Sequence, residues 1–227
     1  MENSAPVELA FSQKYDREHS EQYLKKHQTG WARRLSHWRD MQVARHALKL
    51  AEEPALVLDL PCGAGRFWPL LAENPNRVIL AADNSADMVA TACAAQPAEV
   101  VARVKSFQTS AFAIDLNANA VDCIFCIRLL HHVESAENRL TILHEFHRVT
   151  RDTVILSLWV DGNYKAWKRQ RAENRRPAEE RAAQNRFVVA RSNIENEFKL
   201  AGFRIVAHLD FLPCYAMWRT YILRKES

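Results

Sequence analysis

A turn containing two glycines is the first feature of this sequence that could bind a ligand. An apolar run over residues 56–60 passes through Asp59 and leads into Gly63 and Gly65. Glycine adopts positive φ angles and lets a backbone come close to a ligand. Because ligands of open α/β sheets bind at the carboxyl ends of the strands, this spacing predicts a nucleotide or nucleoside site at the turn.

An acidic residue follows the next apolar run, over residues 78–82. Asp83 lies 18 residues after Gly65, and a carboxylate at this place can accept two hydrogen bonds from ribose hydroxyl groups. Ser85 is a candidate N-cap for the helix that follows, and Met88 lies on that helix. Phosphate-binding alternatives fit less well, because the sequence has no G-x-x-x-x-G-K-[ST] motif and the three-glycine dinucleotide motif is incomplete.

Strands and helices alternate along the part of the chain that must position these residues. Apolar runs predict five strands, over residues 56–60, 78–82, 100–107, 121–127 and 153–160. Helices are predicted at residues 66–72, 86–95, 138–149 and 193–201, and an antiparallel hairpin closes the chain after residue 203. This order predicts an α/β fold: a Rossmann-like sheet of seven strands, parallel with one antiparallel strand in the C-terminal hairpin, and helices on both faces.

Two segments extend this pattern. From residue 15 to residue 50 the apolar positions have helical spacing, which predicts two or three helices that form an N-terminal cap over residues 1–50. The Rossmann-like domain then spans residues 51–227 and contains a basic insert at about residues 161–190. Between Lys165 and Arg186 there are eight Lys or Arg and three Glu, a local net charge of +5. This insert could meet a phosphorylated glycan, a lipid headgroup or RNA, or it could be a solvated helix face.

Length and composition are those of one domain with an appended cap. The chain has 227 residues, 48% of them hydrophobic, and a formal net charge of +4, which permits an anionic substrate. No run of apolar residues is long enough to predict a membrane span, and the N-terminus does not resemble a signal peptide. The five scattered cysteines are typical of reduced thiols, so we expect a cytoplasmic protein.

Three motifs together resemble class I S-adenosylmethionine-dependent methyltransferases. The family motif D-x-G-x-G-x-G is similar to DLPCGAG, in which Asp59, Gly63 and Gly65 match and Pro61 replaces the first glycine. The acid that closes the family's second strand is matched by Asp83. The family's fourth-strand motif is similar to VDCIFCIRLLHHV.

The resemblance covers about residues 55–160 and, more weakly, the hairpin at 203–223. It implies S-adenosylmethionine (SAM) as the cofactor and S-adenosylhomocysteine (SAH) as its product. The cofactor-binding residues that it implies are Asp59, Pro61, Cys62, Gly63, Gly65, Arg66, Asp83, Asn84, Met88, Ser110, Ala111, Phe112, Ile127 and Arg39.

Some of these positions depart from the family pattern or have alternatives. Ser110 stands where family members often have an acid that contacts the adenine amine, and Phe112 could cover the adenine face. Because Pro61 has no backbone N–H, the turn should rely on the backbone of residues 62–65. The carboxylate of the cofactor needs a cation, for which Arg66, Arg34 and Arg39 are candidates.

Methyl transfer of this kind mainly requires alignment of the reactants and exclusion of water, with a general base only where the acceptor must lose a proton. His131 and His132 follow the fourth strand, beside the expected methyl group, and imidazole titrates near neutrality. Either histidine could be the base, or the pair could pack a loop. Arg128 could bind a carboxylate or phosphate of the acceptor, or form a surface ion pair.

Aromatic residues recur in the N-terminal segment: Tyr15, Tyr23, Trp31 and Trp38. They could line a lid over the site, or they could pack the helices on the sheet. No metal is expected, because the magnesium-dependent relatives need a further acid after the fourth strand, where this sequence has IRLLHH.

The predicted activity is methyl transfer from SAM to an oxygen or nitrogen of a polar small molecule or glycan. A sugar hydroxyl of a bacterial surface polysaccharide is one such acceptor, suggested by the basic insert and the N-terminal aromatic residues. Two alternatives are an RNA methyltransferase and a non-catalytic module that binds an adenosyl ligand. Adenine-type amino methylation fits less well, because the NPPY-like motif of those enzymes has no counterpart here.

Overall fold

The computed structural model of the chain describes residues 31–175 and 185–226. Its helices are α1 (Trp31–Leu50), α2 (Trp68–Leu71), α3 (Ala86–Ala95), α4 (Ala98–Val101), α5 (Ala136–Val149), α6 (Tyr164–Glu173) and α7 (Arg191–Leu200). Its strands are β1 (Leu56–Asp59), β2 (Val78–Asp83), β3 (Val104–Gln108), β4 (Val121–Cys126), β5 (Thr150–Trp159), β6 (Phe203–Asp210) and β7 (Trp218–Lys225).

The seven strands form one sheet in the order β3-β2-β1-β4-β5-β7-β6. Strands β1 to β5 pair in parallel, and β7 is antiparallel to both β5 and β6. The predicted fold class is therefore confirmed: six strands run in one direction and the C-terminal hairpin supplies the one antiparallel strand. The carboxyl ends of β1, β2, β4 and β5 meet at one edge of this sheet, which is where the predicted site residues lie.

Helices cover both faces of the sheet because the central strands are apolar on both sides. In β5, Val154 and Leu156 pack in one buried cluster with residues of α5 and α7, such as Phe146 and Phe198. Ile155, which points the other way, packs in a second cluster with residues of α1 and α2. Alternate residues of a strand face opposite sides, so a strand buried on both faces has no polar alternation to reveal it in the sequence.

The third strand begins later than the sequence indicates, and the prediction was wrong for residues 100–103. Residues 98–101 form the short helix α4, and β3 starts at Val104. Pro97 stands at the N-cap of α4, a place where its missing N–H breaks no hydrogen bond of the helix. Glu99 lies in the first turn, where a negative charge is favourable. These local features outweigh the β-branched residues of the segment.

At the N-terminus, one helix of twenty residues, α1, packs on the sheet. The further helices predicted between residues 15 and 30 lie outside the described residues, and the division into a cap and a domain stays a prediction. Helix α2 is shorter than the predicted helix over 66–72, with a proline in its first turn. No helix within residues 31–175 and 185–226 is both long and apolar enough to cross a membrane.

Candidate active site

Backbone N–H groups of the glycine turn after β1 donate hydrogen bonds to β2 and within the turn itself. The N–H of Cys62 donates to the carbonyl oxygen of Ala82 in β2 at 2.8 Å, and the N–H of Gly65 donates to Cys62 at 3.0 Å. The N–H of Gly63 donates to the Asp83 carboxylate. Since the fold uses these three N–H groups, the backbone of residues 62–65 offers a ligand fewer donors than the sequence suggested.

The two glycines of the turn have different surroundings, although both have positive φ angles of 52° and 69°. A Cβ atom at Gly65 would lie 2.9 Å from the Trp68 ring and 3.0 Å from the Gln96 side chain. A Cβ atom at Gly63 would meet only the methyl group of Met88, at 3.8 Å. Gly65 is therefore required for packing, whereas Gly63 borders space that a ligand could fill.

Asp83, at the end of β2, is buried and contacts this turn. Its two carboxylate oxygens accept hydrogen bonds from the N–H groups of Gly63 at 3.0 Å and of Ser85 at 3.1 Å. Burial raises the pKa of the Asp83 carboxyl, and these backbone donors oppose the shift. Each oxygen keeps a second lone pair, so the side chain can still accept hydrogen bonds from two vicinal hydroxyl groups.

Asp59, the last residue of β1, is buried and one of its oxygens, Oδ2, has no hydrogen-bond partner within the described part of the chain. Burial raises the pKa of this carboxyl well above its usual range, and the neighbouring Asp83 adds to the shift. Burial likewise raises the pKa of the Cys62 thiol, which disfavours the reactive thiolate. Asp59 thus ends β1, whereas Pro61 and Cys62 lie in the turn that follows it.

The turn that follows β3 lies beside Asp83. The N–H of Thr109 donates to the Asp83 carbonyl oxygen at 3.0 Å, and the Gln108 side chain donates to the carbonyl oxygen of Asn84. Next along the chain, Ser110 caps its own turn by accepting a hydrogen bond from the N–H of Phe112. The structure thus brings the predicted adenine-side residues Ser110, Ala111 and Phe112 to the same edge as Asn84. Met88 also belongs to this group, because its N–H donates to Ser85, which caps α3 as predicted.

The three arginines that the sequence offers as partners of the cofactor carboxylate do not lie together in the structure. Arg66 forms an ion pair with Asp40 of α1, with 2.5 Å between Nη2 and Oδ2, and its Nε donates to Nδ1 of His37 at 3.1 Å. Arg39 instead donates to the carbonyl oxygens of Asp210, the last residue of β6, and of Phe211, which follows it. Arg34 is exposed on α1.

Arg128 follows β4, one residue after the half-buried Ile127, and has an unusual backbone. Its φ angle is +69°, a conformation that a residue with a side chain adopts only where its surroundings hold it. Its N–H donates to the hydroxyl of Ser157 at 3.0 Å. Its guanidinium group contacts Asp40 at 2.6 Å and stacks 5.0 Å from the Trp218 ring. Asp40 thus joins the loops after β1 and after β4.

The two histidines occupy a single 3-10 turn at residues 130–132, and they differ in burial. His131 is 3% exposed and packs between the rings of Trp159 and Trp218, at 5.2 and 4.7 Å. Burial lowers the pKa of His131 to about 2, so it is neutral at physiological pH and a poor proton acceptor.

His132 is less buried than His131, and its ring is oriented by the chain. Its Nδ1 lies 2.5 Å from the carbonyl oxygen of Asn185, which places the proton on Nδ1 and the lone pair on Nε2. Burial lowers the pKa of His132 as well, although the Asn185 carbonyl opposes the shift. A neutral imidazole with an oriented lone pair is suited to accept a proton near neutral pH.

Two tryptophans, Trp159 and Trp218, form an aromatic wall next to the histidines, and arginine side chains lie against it. Trp159 ends β5 and Trp218 begins β7, and the antiparallel register places the two residues opposite each other. The guanidinium groups of Arg169 and Arg186 lie 5.1 and 6.0 Å from the Trp159 ring. Beyond this wall, α6 and residues 186–190 line a cleft of about 760 Å³.

The aromatic residues of α1 do not pack on the sheet. Trp31 and Trp38 are 80% and 56% exposed, so the alternative in which they pack the helix against the core is wrong for these two residues. The lid role stays a prediction. Tyr15 and Tyr23 lie outside the described residues.

Sequence reasoning missed several residues of this region: Asp40, Ser157, Trp159, Asn185 and Trp218. No local spacing connects them to the motifs, because each reaches the site through long-range packing. Among the residues that the structure describes, no three His, Cys, Asp or Glu side chains converge as a metal site.

Comparison with known proteins agrees with this geometry. A family model described as a methyltransferase domain matches residues 57–153, which include the glycine turn, Asp83 and both histidines. Among curated proteins, none matches the chain by sequence.

Solved structures share the whole fold at low sequence identity. Magnesium protoporphyrin IX methyltransferase (ChlM) from Synechocystis PCC 6803, with bound SAH, has a TM-score of 0.77 and 15% identity, and the match covers 96% of this chain and 100% of that one. Its structure with bound SAM gives 0.71 and 16%, over 99% and 100% of the two chains. A chain from the complex of the Haloferax volcanii Trm112 methyltransferase activator with a methyltransferase gives 0.65 and 13%, over 97% and 100%. At these identities the likeness shows a common fold.

Proposed function

We propose that this chain, whose residues 57–153 match a methyltransferase domain, is a class I S-adenosylmethionine-dependent methyltransferase, and that it methylates an oxygen of a small anionic molecule that carries a ring. The bound cofactor supplies a methyl group that is already activated as part of a sulfonium. The protein's tasks are to hold the cofactor, to orient the acceptor and to exclude water.

The residues around the glycine turn fit the cofactor. A Cβ atom at Gly63 would meet only Met88, and the adjacent Asp83 carboxylate keeps acceptor capacity on both oxygens, as a ribose with two hydroxyl groups requires. The turn at Ser110, Ala111 and Phe112 lies next to Asp83 and provides a hydroxyl group and an aromatic face for the adenine.

The wall formed by Trp159 and Trp218 is the observation that carries the proposal for the acceptor. It lies at the carboxyl end of β5, beside the histidines, and guanidinium groups stack on both indole rings. Arg128 and Arg169 have the carboxylates of Asp40 and Glu173 as partners. Within the described residues no carboxylate forms an ion pair with Arg186. An acceptor with an anionic group matches this positive charge. The half-buried Trp218 ring, rather than the buried Trp159, is the aromatic surface beside it.

His132 is the residue we assign to proton transfer. A hydroxyl acceptor must lose its proton as the new bond forms, and the lone pair on Nε2 of His132 is held in one orientation by the Asn185 carbonyl. His131, whose pKa is lowered to about 2, supports the wall by packing and does not take up the proton. A carboxylate acceptor would need no base, and His132 would then serve only to shape the site.

One structural neighbour has a ring-bearing acceptor, and none of the comparisons points to a surface polysaccharide. The Synechocystis protein, whose chain matches over its full length, acts on magnesium protoporphyrin IX. An RNA acceptor is the second candidate, because Tyr164 and Trp167 of α6 are exposed and Lys165 and Arg171 lie over aromatic rings nearby.

The test is a screen with methyl-labelled SAM and three acceptor groups: ring compounds with a carboxylate or phenol, neutral sugars, and RNA. We expect label only in the first group. Mild base should release it from a carboxyl ester and leave it on an ether or an amine. Arg186→Gln should raise KM for the acceptor about tenfold, since a charged hydrogen bond is lost. Arg204→Gln, at an exposed position of the edge strand β6, should not. Label found only in sugars or RNA would contradict the proposal.

A further inference from the structure

A group of exposed apolar side chains lies at the carboxyl edge of the sheet, between α6 and the loop that joins β6 to β7. Tyr164 and Trp167 belong to α6, Leu212 and Tyr215 belong to the loop, and all four are between 45% and 55% exposed. We call these four residues the α6–loop surface. Large apolar side chains that cluster on a protein surface mark a place of contact with another molecule.

Contacts between α6 and the loop hold this surface in one arrangement. The N–H of Tyr164 donates to the carbonyl oxygen of Cys214 at 2.9 Å, and the N–H of Lys165 donates to that of Tyr215 at 3.0 Å. The rings of Tyr164 and Tyr215 stack with 5.7 Å between their centroids and 12° between their planes, and the Trp167 ring lies 6.0 Å from Tyr164. The fold therefore keeps these side chains at the surface, although burial away from water would be favourable.

Basic side chains accompany the α6–loop surface. Lys165, Lys168 and Arg171 are exposed on α6, and the charged groups of the first and third lie 5.2 and 5.4 Å from aromatic rings of the surface. Glu173 is the only acidic residue of this helix, and it forms an ion pair with Arg169 at 2.6 Å. The surface thus combines apolar side chains with an excess of positive charge, which complements a negatively charged partner.

A membrane that contains anionic lipids fits this combination better than a single-stranded RNA does. RNA bases stack on open ring faces, but Tyr164 and Tyr215 already stack on each other. Aromatic side chains that enter the headgroup layer of a bilayer need no open face. The loop over residues 211–217 has no charged residue, and Leu212 and Pro213 are exposed on it. This loop offers no cation to an RNA backbone, whereas its apolar side chains match the apolar margin of a bilayer.

We propose that the α6–loop surface docks the protein on a bilayer that contains anionic lipids. The four apolar side chains enter the headgroup layer, and Lys165, Lys168 and Arg171 bind the lipid phosphates. Tyr164 and Trp167 also line the cleft of about 760 Å³ beside the acceptor wall, so docking brings this cleft to the lipid. The lipid contact lies outside the glycine turn and is independent of which acceptor the protein methylates.

Sedimentation of the full chain with lipid vesicles tests the docking surface. One set of vesicles is phosphatidylcholine alone, and the other is an equimolar mixture of phosphatidylcholine and phosphatidylglycerol. We expect the protein to bind the mixed vesicles about tenfold more tightly than the neutral ones, because several cations face the anionic lipid. Added salt should weaken binding to the mixed vesicles, since it screens these charges.

Two variants separate the charged and the apolar contributions. The double variant Lys165→Gln and Lys168→Gln should bind the mixed vesicles about tenfold more weakly or worse, because two cations near the anionic lipid are lost. Trp167→Ser should weaken binding at both low and high salt, because the lost contact is apolar. The matched control is Lys199→Gln with Leu200→Ser, which removes an exposed cation and an exposed apolar side chain at the end of α7. It should bind as the parent does.

The proposal is overturned if the parent binds neither kind of vesicle, binds both kinds equally, or binds no more tightly than the two α6 variants. Binding of single-stranded oligouridine without binding of vesicles would also overturn it, and would support the RNA acceptor instead. Should Trp167→Ser not fold, the double lysine variant and the salt series decide.

Discussion

Asp83 accepts a hydrogen bond from the backbone N–H of Gly63, over 3.0 Å, and so connects the end of β2 to the turn after β1. The contact lets one side chain do two things. It fixes the turn that borders the cofactor space, and it keeps lone pairs for a ligand on the same carboxylate.

Replacing Asp83 tests the ribose assignment. Asp83→Asn keeps an oxygen that can accept the Gly63 hydrogen bond, but it loses the charge and one acceptor. We expect SAH to bind about tenfold more weakly, as loss of a charged hydrogen bond predicts. The melting temperature should fall as well, because the amide nitrogen cannot accept the hydrogen bond from the N–H of Ser85. Asp87→Asn, at an exposed position on α3, is the control. Unchanged SAH affinity in Asp83→Asn would show that the carboxylate does not hold the ribose.

The two glycines of the turn should respond differently to alanine. Gly65→Ala places a methyl group against the fully buried Trp68 ring. The clash and the positive φ angle together should cost about 2–4 kcal/mol in the free energy of unfolding. Gly63→Ala meets only Met88 at 3.8 Å and should cost about 1 kcal/mol. Urea titration measures both values.

For cofactor binding we expect the opposite ranking: Gly63→Ala should lose more SAH affinity than Gly65→Ala. The added methyl group of Gly63→Ala enters the space beside Asp83, so SAH affinity should fall although the fold is retained. Gly65→Ala should bind SAH nearly as the parent does under conditions where it is folded. Equal stability loss in both variants would contradict the different surroundings of the two positions.

The burial of His131 makes the protein sensitive to acid. Its folded-state pKa is lowered to about 2, below the ordinary value of 6.5, because burial disfavours the charged imidazole. The unfolded chain therefore takes up a proton first, and stability is lost as the pH falls from about 6.5 towards 2. His131→Phe cannot protonate and still fills the space between Trp159 and Trp218.

The measurement is the free energy of unfolding of both proteins from pH 8 to pH 5. As the pH falls below about 6.5, the parent should lose more of its free energy of unfolding than His131→Phe does. The same substitution at the exposed His46 is the control for replacing a surface histidine by phenylalanine. Parallel curves for parent and His131→Phe would show that His131 is not buried as a neutral group.

His132 should be needed for turnover and not for cofactor binding. With a hydroxyl acceptor, His132→Ala should lower kcat about a hundredfold or more and leave SAH affinity unchanged. Because burial lowers the pKa of His132, kcat/KM of the parent should rise with pH to a plateau that begins below the ordinary histidine range. Near-normal turnover in His132→Ala would return this residue to a packing role.

The glycine turn, Asp83 and the order of elements could be predicted because each depends on local sequence. Gly63 and Asp83 each follow an apolar run, and the position of a residue near a strand end can be predicted from the run itself. The same method failed at residues 100–103, where Pro97 and Glu99 favour a helix over the strand propensity of the valines.

The acceptor side could be predicted only in part, because it is assembled from distant residues. Asp40 and Arg128 are separated by 88 positions, and Trp159 meets Trp218 only through the register of β5 with β7. Arg39 shows that closeness in sequence does not predict closeness in space. It is adjacent to Asp40 in the sequence, but helical geometry directs it to the carbonyl groups after β6.

Calorimetric titration with SAM and SAH, and with NAD and ATP as controls, tests the central claim most directly. The structure has a carboxylate and a glycine turn that fit an adenosyl ligand, and the sequence has neither a phosphate-binding loop nor a complete dinucleotide motif. We therefore expect SAM and SAH to bind with micromolar dissociation constants and the other two not to bind. Absence of SAM and SAH binding, or tighter binding of NAD, would contradict the account.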